Sequence, residues 1–378
     1  MRSAGRCLYY PDVDLRQLFE IYPPQPRATM PLGLRVNGHI YAGNLTGANP
    51  VSGAIELDPT LQLMQALSLL RHAVERAGGG LEHVRHVIAG VADPADGEPV
   101  ELTLSDSLRG AEIETDVTPL PPGILVRLDV FAALVDDRER PELLRIGLMP
   151  AGFRIGDIVF SAGVTAADPD TGAVSGDTES QMAAAFANLD RLLAEAGIDR
   201  GAVLRIGGYL RDLGEKDVLN HAMVAAFPDA AQKPVHKYVP ASLPPGVNVS
   251  LQVIARGGVE RRIIEIDGIE HNDPISLGAK AGNLVVSSRV QGKPAEDAEA
   301  QAERLVESHA GTLLRHAGGD LRHVTQATWG VGDAAYVEDI ATVMQRHWPE
   351  KRPDVQVVEA DFPHSGLPRL EFIALLDD

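Results

Sequence analysis

The sequence has one cysteine, Cys7, so no internal disulfide can form and the fold has to rest on packing. Positive charge is scarce: 34 Lys and Arg stand against 53 Asp and Glu, a formal net charge of −19. Nucleic acids and anionic membranes bind through a basic footprint, so neither is expected as a partner. No apolar run approaches the length of a membrane span or of a signal-peptide core, and a soluble, cytoplasmic protein is the expectation. Familiar catalytic signatures are missing too. There is no Gly-x-Ser-x-Gly elbow and no Ser-x-x-Lys beside a matching base. "WGVGDA" lacks the strand, glycine spacing and helix of a nucleotide fingerprint. "HVRH", His83 to His86, has no third ligand at a recognisable spacing, so no metal site is expected.

What is present is length and repetition. The chain has 378 residues, 44% of them hydrophobic, enough for two or three domains with cores of their own. The helical stretch "LMQALSLLRHAVERAGG" recurs as "MAAAFANLDRLLAEAGI" and "AERLVESHAGTLLRHAGG". The copies stop at Gly78, Gly197 and Gly318, about 120 residues apart, a period that suits small domains rather than a solenoid.

Before each helix come a short apolar strand and a turn, "NPVSG", "DPDTG" and a remnant "GKP". After it come a strand, a second helix and a last alternating strand, "ILVRLDVFA", "VNVSLQVIA" and "RLEFIALL". The second helix is plain in copies two and three, whereas copy one offers "VELTLSDSLR" and reads as trimmed. Charged connectors place the units at 1–135, 136–259 and 260–378. Each unit reads as α+β, with helices on one face of a mixed sheet. A lone unit would leave apolar sheet surface uncovered, so three in tandem predict an intramolecular pseudo-trimer. "CLYYPDVDLRQLFEIYPPQPR" at the N-terminus has no counterpart over most of its length and reads as a cover for a cleft or sheet edge. Tyr22 and Arg27 in it are assigned to packing, with a contribution to a site as the alternative.

Copy two, from "IGLMPAGFRIGDIVFSAGVTAADPDTG" through "QMAAAFANLDRLLAEAG" and "LRIGGYLRDLGEKDVLNHAMVAAF" to "KPVHKYVPASLPPGVNVSLQVIA", resembles the RidA/YjgF reactive-intermediate deaminase family over nearly a whole family domain. Copies one and three follow the same plan with less identity. The resemblance implies chorismate-mutase-like units, ligand clefts where neighbouring units meet, and hydrolysis of enamines or imines to ketones and ammonia without metal or organic cofactor. It also implies a carboxylate-clamping arginine, a strand glutamate that positions water, and a Ser-Gly-Gln turn whose backbone holds substrate.

That turn falls on Ala162, Gly163 and Val164 in copy two, on Ala42, Gly43 and Asn44 in copy one, and on Ser288, Arg289 and Val290 in copy three. The glutamate position falls on Arg127, Ser250 and Arg369, and none of "EIETDV", "PVHKY" and "PDVQ" supplies the arginine. In copy two His236 takes its place if the prolines are aligned, and Val235 if the alignment shifts by one.

Other residues are available for the chemistry. Arg127 with Asp129, and Arg369 with Glu371, lie two apart on strands and share a face, so a guanidinium can hold a carboxylate while the neighbouring acid moves a proton. The catalytic candidates are Asp129, Glu371 and His236. Those for substrate binding are Arg127, Arg369, Arg289, Gly163, Tyr238, Lys237 and His364. The functional expectation is a cofactor-independent hydrolase or deaminase acting on a small, carboxylate-bearing imine, enamine or related C–N compound at an inter-repeat cleft. The alternatives are a non-catalytic metabolite-binding or scaffold member, or an enzyme that hydrolyses or rearranges a chorismate-like acid on the same fold. A monomeric pseudo-trimer is expected, with further dimerisation left open.

Overall fold

Three long helices each begin on an aspartate whose side chain accepts a backbone N–H of the first turn: Asp58, Asp177 and Asp297. The glycines that close them, Gly78, Gly197 and Gly318, have φ of 89°, 68° and 90°, a left-handed conformation that a Cβ would disfavour. The computed structural model describes residues 17–23, 30–50, 52–135, 141–229, 232–267, 269, 274–292, 297–333, 335–349, 353–359 and 367–377.

The molecule is α+β, with three similar sheets. In the first, the strand order is Leu18–Ile21, Gly33–Val36, His39–Thr46, Val126–Ala133, Val84–Val91, Glu112–Val117. In the second it is Glu142–Ile146, Met149–Ile155, Ile158–Ser161, Val249–Arg256, Val203–Leu210, Val235–Pro240. In the third it is Arg261–Ile264, Gly278–Ala281, Leu284–Ser287, Arg369–Leu375, Val324–Val331, Asp354–Glu359. The outermost pair at the far end of each sheet is parallel, because a helix crosses between its strands; the other neighbours are antiparallel.

Two expectations need correction. Leu18–Ile21 is the first strand of the first sheet, the counterpart of Glu142–Ile146 and Arg261–Ile264, so this part of the N-terminal stretch belongs to the repeat. The second helix of the first unit is not trimmed, since Gly97–Ser107 and Lys216–Ala226 both have 11 residues.

Each sheet packs one face on its own helices. The opposite faces meet in a shared core that includes Leu34, Tyr41, Phe153, Phe160, Val286 and Ile373, drawn from all three sheets. The Tyr41 and Phe153 rings lie 4.3 Å apart. This shared core gives every unit cover for a face it could not bury alone.

The third long helix departs from the other two. From Asp297 to Gly318 there is one residue more than from Asp58 to Gly78 or from Asp177 to Gly197. The extra residue is absorbed as a π-helical turn at Leu305–Gly311, between the α-helical segments Ala298–Arg304 and Thr312–Ala317.

Candidate active site

The strand Leu18–Ile21 brings Glu20 to the meeting place of all three units. Gln326 of the third unit holds its backbone in both directions, accepting from Glu20 N–H at 2.9 Å and donating to its carbonyl at 2.6 Å. Its carboxylate faces Arg205 of the second unit at 2.5 Å. Arg205 follows a bulge in Val203–Leu210, where the register shifts between Val203 and Arg205. A bulge resets the alternation of faces, so Val203 packs on the helices while Arg205 turns to the buried charges.

Lys237 lies opposite Gly207 in the parallel pair of the second sheet. A Cβ at Gly207 would stand 3.0 Å from Tyr209 Cε2 and 3.2 Å from Lys237 Cε, so the glycine leaves the space those two side chains use. Lys237 Nζ donates to Glu371 Oε1 at 2.8 Å and to the Tyr22 hydroxyl at 3.3 Å, and lies 3.7 Å from Glu20 Oε2. Arg289, at the turn position that is Gly163 in the second unit, donates to the same Glu371 oxygen at 2.7 Å. The Tyr209 hydroxyl donates to Gln252 Oε1 at 3.2 Å. Glu20, Arg205, Lys237 and Glu371 are 0%, 2%, 2% and 1% exposed, so these charges interact almost without solvent screening.

Burial would raise the Glu371 carboxyl, but Arg289, Lys237 and Arg205 outweigh it and bring its pKa down to about 2. Burial pulls the Lys237 ammonium below its ordinary pKa despite Glu20 and Glu371. Burial and the charges of Glu20 and Glu371 push the Tyr22 and Tyr209 hydroxyls far up, which keeps both protonated. Arg369 falls to about 10, first through burial and then through Arg289. Glu371 Oε2 and Gln252 Nε2 are buried and have no hydrogen-bond partner among the described residues. A buried acceptor and a buried donor left open in a charged site are what a bound polar ligand or water would satisfy.

A second constellation lies between units one and two. Arg127 and Asp129 form a two-pronged pair at 2.8 and 3.0 Å, and Arg127 also donates to the Pro150 carbonyl at 2.5 Å. Asp129 Oδ1 further accepts from the Tyr41 hydroxyl at 2.7 Å and from the Asn44 N–H at 3.1 Å. Asn44 takes φ 56°, unusual for a residue with a side chain. A cavity of about 140 Å³ opens beside this pair, lined by Met30, Asn44, Arg127, Gly163 and Ser250 among others. Met30, in the cavity lining, packs against the cluster of Tyr209 and Val239, and the Lys237 ammonium lies 6.0 Å from the centre of the Tyr209 ring.

Three anticipated residues, Lys237, Arg289 and Glu371, come together. Arg369, on the same strand as Glu371, donates to Gln291 Oε1 at 2.8 Å. Arg127 and Gly163 line the cavity between units one and two, and Asp129 is held by Arg127. His236 faces the helix layer, its Nε2 3.2 Å from Asn220 Oδ1, and Tyr238 lies under the Lys216 ammonium at 5.2 Å. Val235 is an inward residue of the same strand and joins the shared core. His364 and Arg27 lie outside the described residues. Glu20, Arg205 and Tyr209 were missed. The available signal was a charged residue inside otherwise apolar strands, "LFEI" and "VLRIGGYL".

A family profile described as endoribonuclease L-PSP matches residues 148–256. A RutC family protein from Pyrococcus abyssi is 31% identical over 112 residues, 29% of this chain and 87% of the relative. A 2-iminobutanoate/2-iminopropanoate deaminase from Salmonella typhimurium is 29% identical over 112 residues, 29% of this chain and 88% of its own length. A solved chorismatase covers 78% of this chain and 93% of its own, with a TM-score of 0.47 and 16% identity. At 31% identity over 87% of the Pyrococcus abyssi RutC family protein, the chain belongs to the RidA/YjgF family.

Proposed function

We propose that the chain is a hydrolase of small carboxylate-bearing imines or enamines, working at the cluster around Glu371 rather than at the Arg127–Asp129 pair. The observation that carries this reading is the open Oε2 of Glu371, buried in a carboxylate whose other oxygen already serves Lys237 and Arg289. With a pKa of about 2, Glu371 orients a water through Oε2 rather than taking its proton outright. Arg289 has the planar fork that holds a substrate carboxylate, and the lowered pKa of Lys237 suits proton donation to the departing nitrogen. Addition of water across C=N gives a carbinolamine, and its collapse releases ammonia and the carbonyl compound. Tyr22 and Tyr209, kept neutral, donate hydrogen bonds to the intermediate.

The deaminase name of the Salmonella relative supports the same reaction class. Generating 2-iminopropanoate in situ and following ammonia release tests it. Glu371→Gln and Lys237→Met are expected to lower the rate at least about 100-fold, while Arg127→Ala retains most of it. No acceleration over buffer by the native chain would overturn the reading and leave metabolite binding, a role the near-complete burial of the cluster also suits.

A further inference from the structure

On the outer face of the third unit, far in character from the buried cluster, two helices bring together an imidazole and two carboxylates. Glu303 lies in the last turn of the first α-helical segment, Glu307 lies in the π-helical turn, and His347 closes the helix Tyr336–His347. One ligand atom from each lies within 4.8 Å of the other two. Donor atoms around a single four-coordinate zinc ion stand on the order of 3.4 Å apart, given bonds of about 2.0–2.2 Å. Small side-chain rotations would bring these three into that range.

The other two units serve as an internal control. Six residues after the capping aspartate stand Met64, Ala183 and Glu303; ten residues after it stand Ser68, Ala187 and Glu307. The last residues of the second helices are Ser107, Ala226 and His347. At all three positions the first two units offer no carboxylate or imidazole, and the third offers one at each. The π-helical turn also occurs only in the third of these helices. Its i→i+5 bonding winds more slowly than an α-helix, so residues four apart come closer to eclipsing, which turns Glu303 and Glu307 the same way.

We propose that Glu303, Glu307 and His347 form a binding site for a divalent ion of the zinc class, clipping the two helices of the third unit together. Imidazole with two carboxylates suits zinc, and a hard ion such as magnesium would gain little from the imidazole. The competing arrangement is the ion-pair network already formed: Arg346 bonds Glu299 at 2.5 Å and also Glu303, and His347 contacts Glu303. Glu307 separates the two, because the network among Glu299, Glu303, Arg346 and His347 does not use it.

The test is calorimetric titration of the chelator-treated full chain with zinc chloride, and with magnesium chloride as a control. Expected are one zinc ion per chain, a raised Tm with zinc, no comparable response to magnesium, and an affinity loss of at least about tenfold in Glu307→Gln and in His347→Ala. The exposed Glu307→Gln change keeps the network, so a loss there is not a folding defect. Absence of zinc uptake, or uptake unchanged in both variants and hence adventitious ions on other histidines, would overturn the site and leave a network of ion pairs only.

Discussion

Lys237 of the second unit donates to Glu371 of the third at 2.8 Å, and each side chain is only 1% exposed. Breaking such a pair strands a charge away from water, so Glu371→Gln and Lys237→Met are each expected to cost about 3–5 kcal/mol in urea unfolding. The double variant should cost clearly less than the two singles together. The acid limb carries a second signature. The Glu371 pKa is about 2 in the fold and about 4.3 in an unfolded chain, so its contribution is full above roughly pH 4.3 and fades as pH falls toward 2. Simple additivity of the singles would contradict the coupling.

His309 sits nine residues before Gly318, where the other helices carry Leu69 and Asn188. It is 3% exposed, and burial, which outweighs a hydrogen bond with the Ser288 backbone, pushes its pKa down to about 4. A depressed histidine leaves stability untouched above about pH 6.5 and erodes it below, because the unfolded chain takes a proton the fold refuses. Between pH 6.5 and 4 the loss should approach about 1.4 kcal/mol per pH unit. His309→Leu should flatten that part of a stability–pH curve, and equal slopes in the two proteins would refute the assignment.

Gly207 is where Lys237 and Tyr209 find room. Gly207→Ala places a methyl 3.0 Å from Tyr209 Cε2, tighter than ordinary contact, and overpacking of this kind costs about 1–3 kcal/mol. Ammonia release should fall more than stability, since the displaced side chains belong to the proposed site. A variant as active as the native chain would show that Lys237 and Tyr209 can shift freely.

Asn44 has φ 56° while its N–H donates to Asp129. Asparagine tolerates this region, alanine does so at a cost of about 1–2 kcal/mol, and glycine occupies it freely. Thermal unfolding should therefore order the variants with Asn44→Gly close to the native protein and Asn44→Ala below it. The reverse order would mean that the asparagine side chain, rather than the backbone, matters there.

The fold was legible because its punctuation is local. Aspartate at the start and glycine at the end of each long helix satisfy backbone groups within a few residues, and they recur three times. Even the π-helical turn is visible as one extra residue between Asp297 and Gly318. The site was legible only in part. Strand spacing put Glu371 on one face with Arg369, but did not reveal the Lys237 and Arg289 that reach it from elsewhere in the chain. Arg205 was obscured by a bulge that strict alternation does not anticipate. Glu20 was hidden in a strand read as an extension.

By itself, then, the sequence determined three α+β units, the ends of their helices and the single insertion in the third, because these depend on backbone demands met by near neighbours. Tertiary structure alone decided which charges meet. Glu20 and Gln326 are 306 positions apart in the chain, and Lys237 and Glu371 are 134 apart. Their pairing follows from three sheets closing on one core, where the energy of a buried charge depends on what the other units bring to it.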